Sequence, residues 1–264
     1  MLFRCYIIFT AFLSMLMVNP AWTAQLLSHN AIYALNIERI NKNSSLEGGQ
    51  GRSVFKIKQV CNGWDVNEDY ILIYELANNK NAKSFSSHKT FENTNGTQHS
   101  FEHNEKSDFN GENNYEGFIQ KINNKIIGSL ISKSSKDLSF DQDILFPVDH
   151  LKKLIDIAKN KGSVFTSKVF FGSENKKFIK IVSAFINKKR NSNIKNDTYL
   201  STKMVWPIKL AFYSNDTKQS KPDYEITVEL DDAGIVHSYE VNYGDFVVKA
   251  NLQKFKIIEK SDCK

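Results

Sequence analysis

The chain has 264 residues, 41% of them hydrophobic and 24% charged, with a formal net charge of +6. No apolar run reaches the ~20 residues needed to cross a bilayer, and no feature calls for a nucleic-acid partner. About 240 residues remain after residue 24, enough for one domain with a full core.

Met1-Leu2-Phe3-Arg4 is a short charged start, and Cys5 to Val18 is apolar apart from Thr10 and Ser14. Asn19-Pro20-Ala21-Trp22-Thr23-Ala24 follows, which completes the layout of a secretory signal peptide over residues 1–24, cleaved after Ala24. A retained anchor is the alternative, and the run is short for one. Cleavage removes Cys5 and leaves Cys61 and Cys263 in a compartment where disulfides persist. The two either pair within the chain or stay as thiols. Nothing basic flanks Cys61, and Asp262 adjoins Cys263, so neither is set up as a reactive thiolate.

Residues 25–264 read as one domain. Gln25 to Glu38 is predicted as a first strand with Ala31, Tyr33, Leu35 and Ile37 on one side. Gly48-Gly49-Gln50-Gly51 is predicted to turn the chain, because glycine adopts positive φ without steric cost. Arg52–Lys58 and Tyr70–Leu76 read as strands, the latter apolar on both faces. Asn95-Gly96 marks a hairpin between Ser84–Glu92 and Thr97–His103, and Asn123-Asn124 reverses the chain between Tyr115–Lys121 and Lys125–Ile131. One segment has helical spacing: Val148, Leu151, Leu154, Ile155 and Ala158, with Pro147 at its start and Gly162 at its end.

Beyond the helix, Pro207 demotes its strand to an edge or bulge, since proline cannot donate to a ladder. Tyr224–Leu230 alternates strictly, Asp231-Asp232-Ala233-Gly234 turns, and Ile235–Tyr243 and Phe246–Leu252 complete the sheet. The expected fold is a single mainly-β domain, one helix lying on a large antiparallel sheet.

Several patterns bear on chemistry. His99-Ser100-Phe101-Glu102-His103 matches the H-x-x-E-H of inverted zinc metallopeptidases. That motif works on a helix, where both imidazoles share a face. Here it follows a hairpin turn, and on a half-exposed strand Glu102 points away from His99 and His103. The other histidines, His29, His88, His150 and His237, are scattered. Ser53–Lys56 and Ser173–Lys176 have S-x-x-K spacing without its companion motifs. Asp141/Asp143 and Asp231/Asp232 fall short of a calcium ligand set, and Glu112 and Glu116 resemble ordinary surface acids. From Lys152 to Arg190, eleven basic residues face only Asp156 and Glu174, which reads as a solvated surface or one that favours anionic envelope components. No catalytic residue, metal or cofactor is assigned. Trp64, Trp206, Phe101, Phe146, Phe170, Phe171, Phe212, Tyr213, Tyr243 and Phe246 either fill the core or line a cavity for apolar ligands.

An ordered set of phrases resembles the EipB-like cell-envelope integrity family of Gram-negative bacteria. It runs from Ser28-His29-Asn30-Ala31 with Tyr33 and Leu35, through Gly51-Arg52, Cys61-Asn62-Gly63-Trp64, Leu145-Phe146-Pro147 with His150, and Val169-Phe170-Phe171-Gly172-Ser173. Trp206–Tyr213, Pro222-Asp223-Tyr224-Glu225, Tyr243-Gly244-Asp245-Phe246 and Cys263 complete it. Asn30, Phe91 and Ala233 depart from the pattern, where Arg, Trp and Asn are usual.

The resemblance implies a periplasmic, spiral-like, partly open β-barrel with a packed helix and a Cys61–Cys263 disulfide. It also implies a non-enzymatic role in envelope integrity through binding, with a periplasmic tetratricopeptide-repeat protein or an envelope component as partner. It names no ligand-binding residues. The alternatives are a carrier or sensor of lipid or lipoprotein acyl chains and, further off, a zinc-dependent hydrolase built on His99, Glu102 and His103.

Overall fold

The computed structural model describes residues 24–263 apart from 43, 124, 142, 173–177 and 216–219. The signal-peptide segment before Ala24, Asn124 of the predicted reversal and the Ser173–Lys176 spacing lie outside or partly outside them.

The chain runs β1 (His29–Glu38), β2 (Leu46–Val60), β3 (Gly63–Leu76), β4 (Lys80–Asn93), β5 (Gln98–Ser107), β6 (Gly111–Ile122), β7 (Lys125–Ile131) and β8 (Ser135–Asp141). After β9 (Ile144–Leu145) come helix α1 (Pro147–Lys159), β10 (Val164–Phe170), β11 (Ile179–Ile186) and β12 (Arg190–Asn191). A second, one-turn helix α2 (Thr198–Ser201) precedes β13 (Met204–Ser214), β14 (Tyr224–Leu230), β15 (Val236–Asn242) and β16 (Val247–Ile257).

Hydrogen bonding links the strands in the order β8-β7-β6-β5-β4-β3-β2-β1-β16-β15-β14-β13-β11-β10-β9. All of these pairings are antiparallel except β9 with β10. The two ends of this path do not pair with each other. They overlap. On β10 and β11, Val169 and Val182 face one way and pack with Phe212, while Phe170 and Ile179 face the other. That second face is covered by Phe101, Tyr115, Ile119, Ile126 and Leu138, from the inward side of β5–β8. The sheet is therefore a spiral: its first half wraps over the outside of its second. Burying a Phe170-sized side chain contributes about 1.5–3 kcal/mol, so this seam is held by packing where a closed barrel would use ladder bonds.

Helix α1 closes one end from within. Val148, Leu154, Ile155 and Ala158 meet Ile57, Trp64, Ala184, Ile186, Trp206, Ile208 and Leu230. Pro147 occupies its start, as the sequence indicates. Its end differs in detail: Lys161, not Gly162, takes the left-handed φ of 62°, and the Gly162 N–H donates to the Ile157 carbonyl at 2.8 Å.

Two local expectations are corrected. Gly48–Gly51 does not turn the chain; it lies inside β2, and Gly51 opposes Leu72. A Cβ at Gly51 would collide with the Ile71 carbonyl, so this glycine serves close strand approach. Pro207 is not on an edge. Strand β13 lies between β11 and β14, and the Pro207 carbonyl accepts from the Asn187 N–H at 2.9 Å. Proline's missing donor thus points to the side where β11 has just ended, at Ile186. The first strand also begins later than expected, at His29.

Cys61, in the β2–β3 turn, is bonded to Cys263, with Cα atoms 5.3 Å apart, and the Ser261 N–H donates to the Gln59 carbonyl nearby. The bridge ties the C-terminal tail to the end of the barrel that α1 fills. Cys61→Ser, or reduction, is expected to lower unfolding free energy by about 2–5 kcal/mol. Identical denaturant midpoints with and without reductant would refute this.

Candidate functional site

Strand pairing fixes which side chains look inward. Tyr33 opposes Ser53, Ser53 opposes Tyr70, and Phe55 opposes Glu68. Glu68 in turn opposes His88, and Tyr70 opposes Ser86; across the barrel Val228 opposes Tyr239. Near α1 the inward residues are wholly buried. At the level of Glu68 they are not: Glu68, Tyr70, Ser86, His88, Val228 and Tyr239 are half-buried although they point into the barrel. An inner wall that keeps accessible surface bounds a lumen. The end away from α1 carries an aromatic cluster, in which Tyr74 meets Phe109 and Phe246 edge-on and Tyr243 contacts Phe246.

The lumen wall is polar at one spot. Ser53 Oγ donates to Glu68 Oε1 at 3.1 Å, and the Tyr239 phenol lies close to the same serine. Tyr33 donates to the Val236 carbonyl at 2.7 Å. Burial raises the Glu68 carboxyl above its ordinary range; the Ser53 bond pulls the other way and Asp69 adds to the rise. The Tyr239 phenol is likewise raised, by burial first and the charge of Glu68 second.

Glu92 links the sheet to the helix. Its two oxygens accept the Val148 and Asp149 N–H groups, both at 2.8 Å, capping a helix whose own preceding residue, Phe146, offers no side-chain cap. Burial raises its pKa to about 7, against the pull of the two amides. Beside it, His99 is wholly buried with both ring nitrogens unpartnered, stacked on Phe146 and Phe101, and burial lowers its pKa to about 3.

The sequence-predicted candidates fall as follows. His99 and His103 share the inward face of β5, but four strand residues separate them by ~13 Å, too far for one zinc ion. Glu102 faces out, where it pairs with Lys89 at 3.5 Å. The half-exposed strand expected there is corrected: His99 is 1% exposed and His103 8%, because the β10–β11 overlap covers this stretch. Ser53 and Lys56 lie on opposite faces of β2. Glu112 pairs with Lys106. The basic run does not gather into one face: Lys180 is buried against Asp223, Lys168 meets Asp143, and Lys189 and Arg190 meet Asp232 and Glu229. Of the aromatics that could fill a core or line a cavity, Trp64, Trp206, Phe101, Phe146 and Phe170 fill the core.

Three further residues form a relay that sequence reading missed. His237 Nδ1 lies 2.7 Å from Ser192 Oγ, and Nε2 lies 3.2 Å from Asp231 Oδ2. Ser192 Oγ also accepts the Ile194 N–H, and Asp231 Oδ1 accepts those of Ala233 and Ile235. With the side chains of His237 and Asp231 fully buried, the group works as a strap holding the loop before α2 to the β14–β15 turn.

A model of the EipB-like family matches residues 20–259. The chain belongs to the EipB-like family. It is 23% identical over 246 residues to the cell envelope integrity protein EipB of Brucella abortus (strain 2308), covering 91% of this chain and 88% of that protein. The crystal structure of a β-barrel-like protein of a domain of unknown function, also from Brucella abortus, matches with a TM-score of 0.82 at 22% identity. That match covers 89% of this chain and all of the other, and it establishes the fold.

Glu92→Ala is expected to cost about 1–3 kcal/mol, the penalty of stranding buried donors. Thermal unfolding at pH 8 measures it; an unchanged midpoint would refute the cap. His99 gives a pH signature. It stays neutral when folded and protonates when unfolded, so its contribution falls as pH drops from its ordinary 6.5 towards 3. His99→Leu should lose less stability than the parent between pH 6.5 and 4; equal losses would count against it.

Proposed function

We propose that this protein supports envelope integrity from the periplasm, without catalysis, by binding an envelope component or partner protein. Membership of the EipB-like family supports the envelope role. The disulfide suits an oxidising compartment. A periplasmic tetratricopeptide-repeat protein is the proposed protein partner, to be sought by mild crosslinking in periplasm and identification of what is captured.

A second reading, that the lumen carries or senses acyl chains, is favoured by one observation: inward-facing Phe55, Val66, Tyr70, Val228 and Tyr239 all remain half-buried. Apolar surface left accessible inside a barrel gains about 25 cal/mol per Å² when a chain covers it. The geometry that offers this surface also offers a way to remove it. Ser86 is half-buried on the inner face of β4, opposite Tyr70 and Glu105. Ser86→Trp should fill the lumen and reduce uptake of a dodecyl probe by delipidated protein at least about tenfold, ~1.4 kcal/mol, while circular dichroism stays unchanged. Native mass spectrometry reads the uptake. Equal uptake by a folded Ser86→Trp protein would refute the lumen as the site.

A further inference from the structure

The exterior of this protein is basic overall, but its inner wall is not. At the inward positions of β1–β5, β11 and β13–β16 set by the strand register, the described residues include two lysines, Lys80, exposed at the start of β4, and Lys180 of β11, which is buried against Asp223 at 2.8 Å. The same positions include three carboxylates, Glu68, Glu92 and Glu105. Glu92 is consumed by the helix cap. Glu105 lies 3.8 Å from His103, beyond hydrogen-bond length. Glu68 is different: Oε1 receives Ser53, while among the described residues no protein donor meets Oε2. Its side chain is half-buried in a wall that turns apolar on either side, with Phe55 and Val66 towards α1 and Tyr70 and Tyr239 towards the mouth.

A carboxylate in such a place is expensive to ionise unless something compensates it. Among the described residues no lysine or arginine pairs with Glu68; Lys180 is taken by Asp223. Burial first, and neighbouring tyrosines and Glu68 after it, raise the phenols of Tyr33, Tyr70 and Tyr239, so Glu68 shares its surroundings with neutral hydroxyls. Left alone, the carboxyl keeps its proton to higher pH than usual; an occupant carrying a cation would supply the missing charge.

We propose that Glu68 is a polar anchor for amphiphiles bearing a protonated amine, the ammonium meeting Oε2 while the alkyl chain covers the apolar wall. This deepens the acyl-chain reading and rests on it. A carboxylate-headed amphiphile would bring like charge to Glu68; an alcohol would bring one donor and no charge. The ammonium supplies three donors and the opposite charge, and charge-assisted bonds are the stronger kind. Tyr70 and Tyr239 flank the anchor and add the faces on which a cation is held.

The test uses the delipidated mature protein and three probes with one chain length: dodecylamine, dodecanol and dodecanoate, each measured by native mass spectrometry and competitive displacement at pH 8. Dodecylamine is expected to bind about tenfold or more tightly than dodecanol, ~1.4 kcal/mol, with dodecanoate weakest. Glu68→Gln, of the same shape, should bring amine and alcohol within about threefold, ~0.7 kcal/mol. A parallel measurement needs no variant: in the parent protein the amine-to-alcohol ratio should fall at pH 4, where the carboxyl holds its proton. Equal affinities for the three probes, or an amine preference that survives Glu68→Gln, would overturn the anchor and leave the lumen as an apolar carrier. Binding of none of the three would overturn both.

Discussion

A sheet of this length must hide two edges, and that constraint shapes the molecule. Closed barrels remove their edges by pairing first strand with last. Here β8 and β9 never meet in a ladder, and side chains take over. The signature is the burial of neighbouring residues on one strand. Val169 and Phe170 are both fully buried, as are Ile179 and Lys180 nearly so, which happens only when both faces of a sheet are covered. The outer turn of the spiral covers the inner one. Its terminal strand, β8, then protects itself with exposed Ser135, Lys136 and Asp137 rather than with a partner.

The overlap leaves the two ends of the barrel unlike each other. At one end α1 plugs the interior, and two devices fix it. Glu92 reaches from β4 to take the first free amides of the helix, where the helix dipole favours negative charge. The Cys61–Cys263 bond holds the tail across the same end. At the other end Tyr74, Phe109, Tyr243 and Phe246 pack edge against edge, and Phe109 and Tyr243 remain exposed. Rigidity is concentrated at the plugged end, and accessible apolar surface at the open one.

Much of the architecture is legible in the sequence, for identifiable reasons. The period-two pattern from Ala31 to Ile37 and from Tyr224 to Leu230, the Asn95-Gly96 turn and the helical spacing from Val148 to Ala158 each rest on local chemistry, and each is present. What was not legible depends on distant neighbours. Gly49 and Gly51 carry the same signal in a turn as in a strand pressed against another backbone; only β3 distinguishes them. Pro207 is tolerable in an interior strand because β11 stops one residue short of it. Val169-Phe170-Phe171 gives no alternation, since both faces are covered. The lumen was hidden for the same reason. Val66, Glu68, Tyr70, Leu72 and Tyr74 do alternate, but only the register of β2–β4 reveals that Glu68 looks into space rather than into water.

The lumen has an energetic consequence. Inward aromatics left half-buried make fewer dispersion contacts than a fully packed core would give them, and a carboxyl without a cationic partner among them opposes folding further. A sequence under selection for stability alone would replace Glu68 with an apolar residue and close the space. This chain instead places its strongest devices, the α1 plug, the Glu92 cap and the disulfide, at the other end. That division is what a binding protein requires: one end firm enough to hold the spiral, and one end whose stability is completed by what enters it.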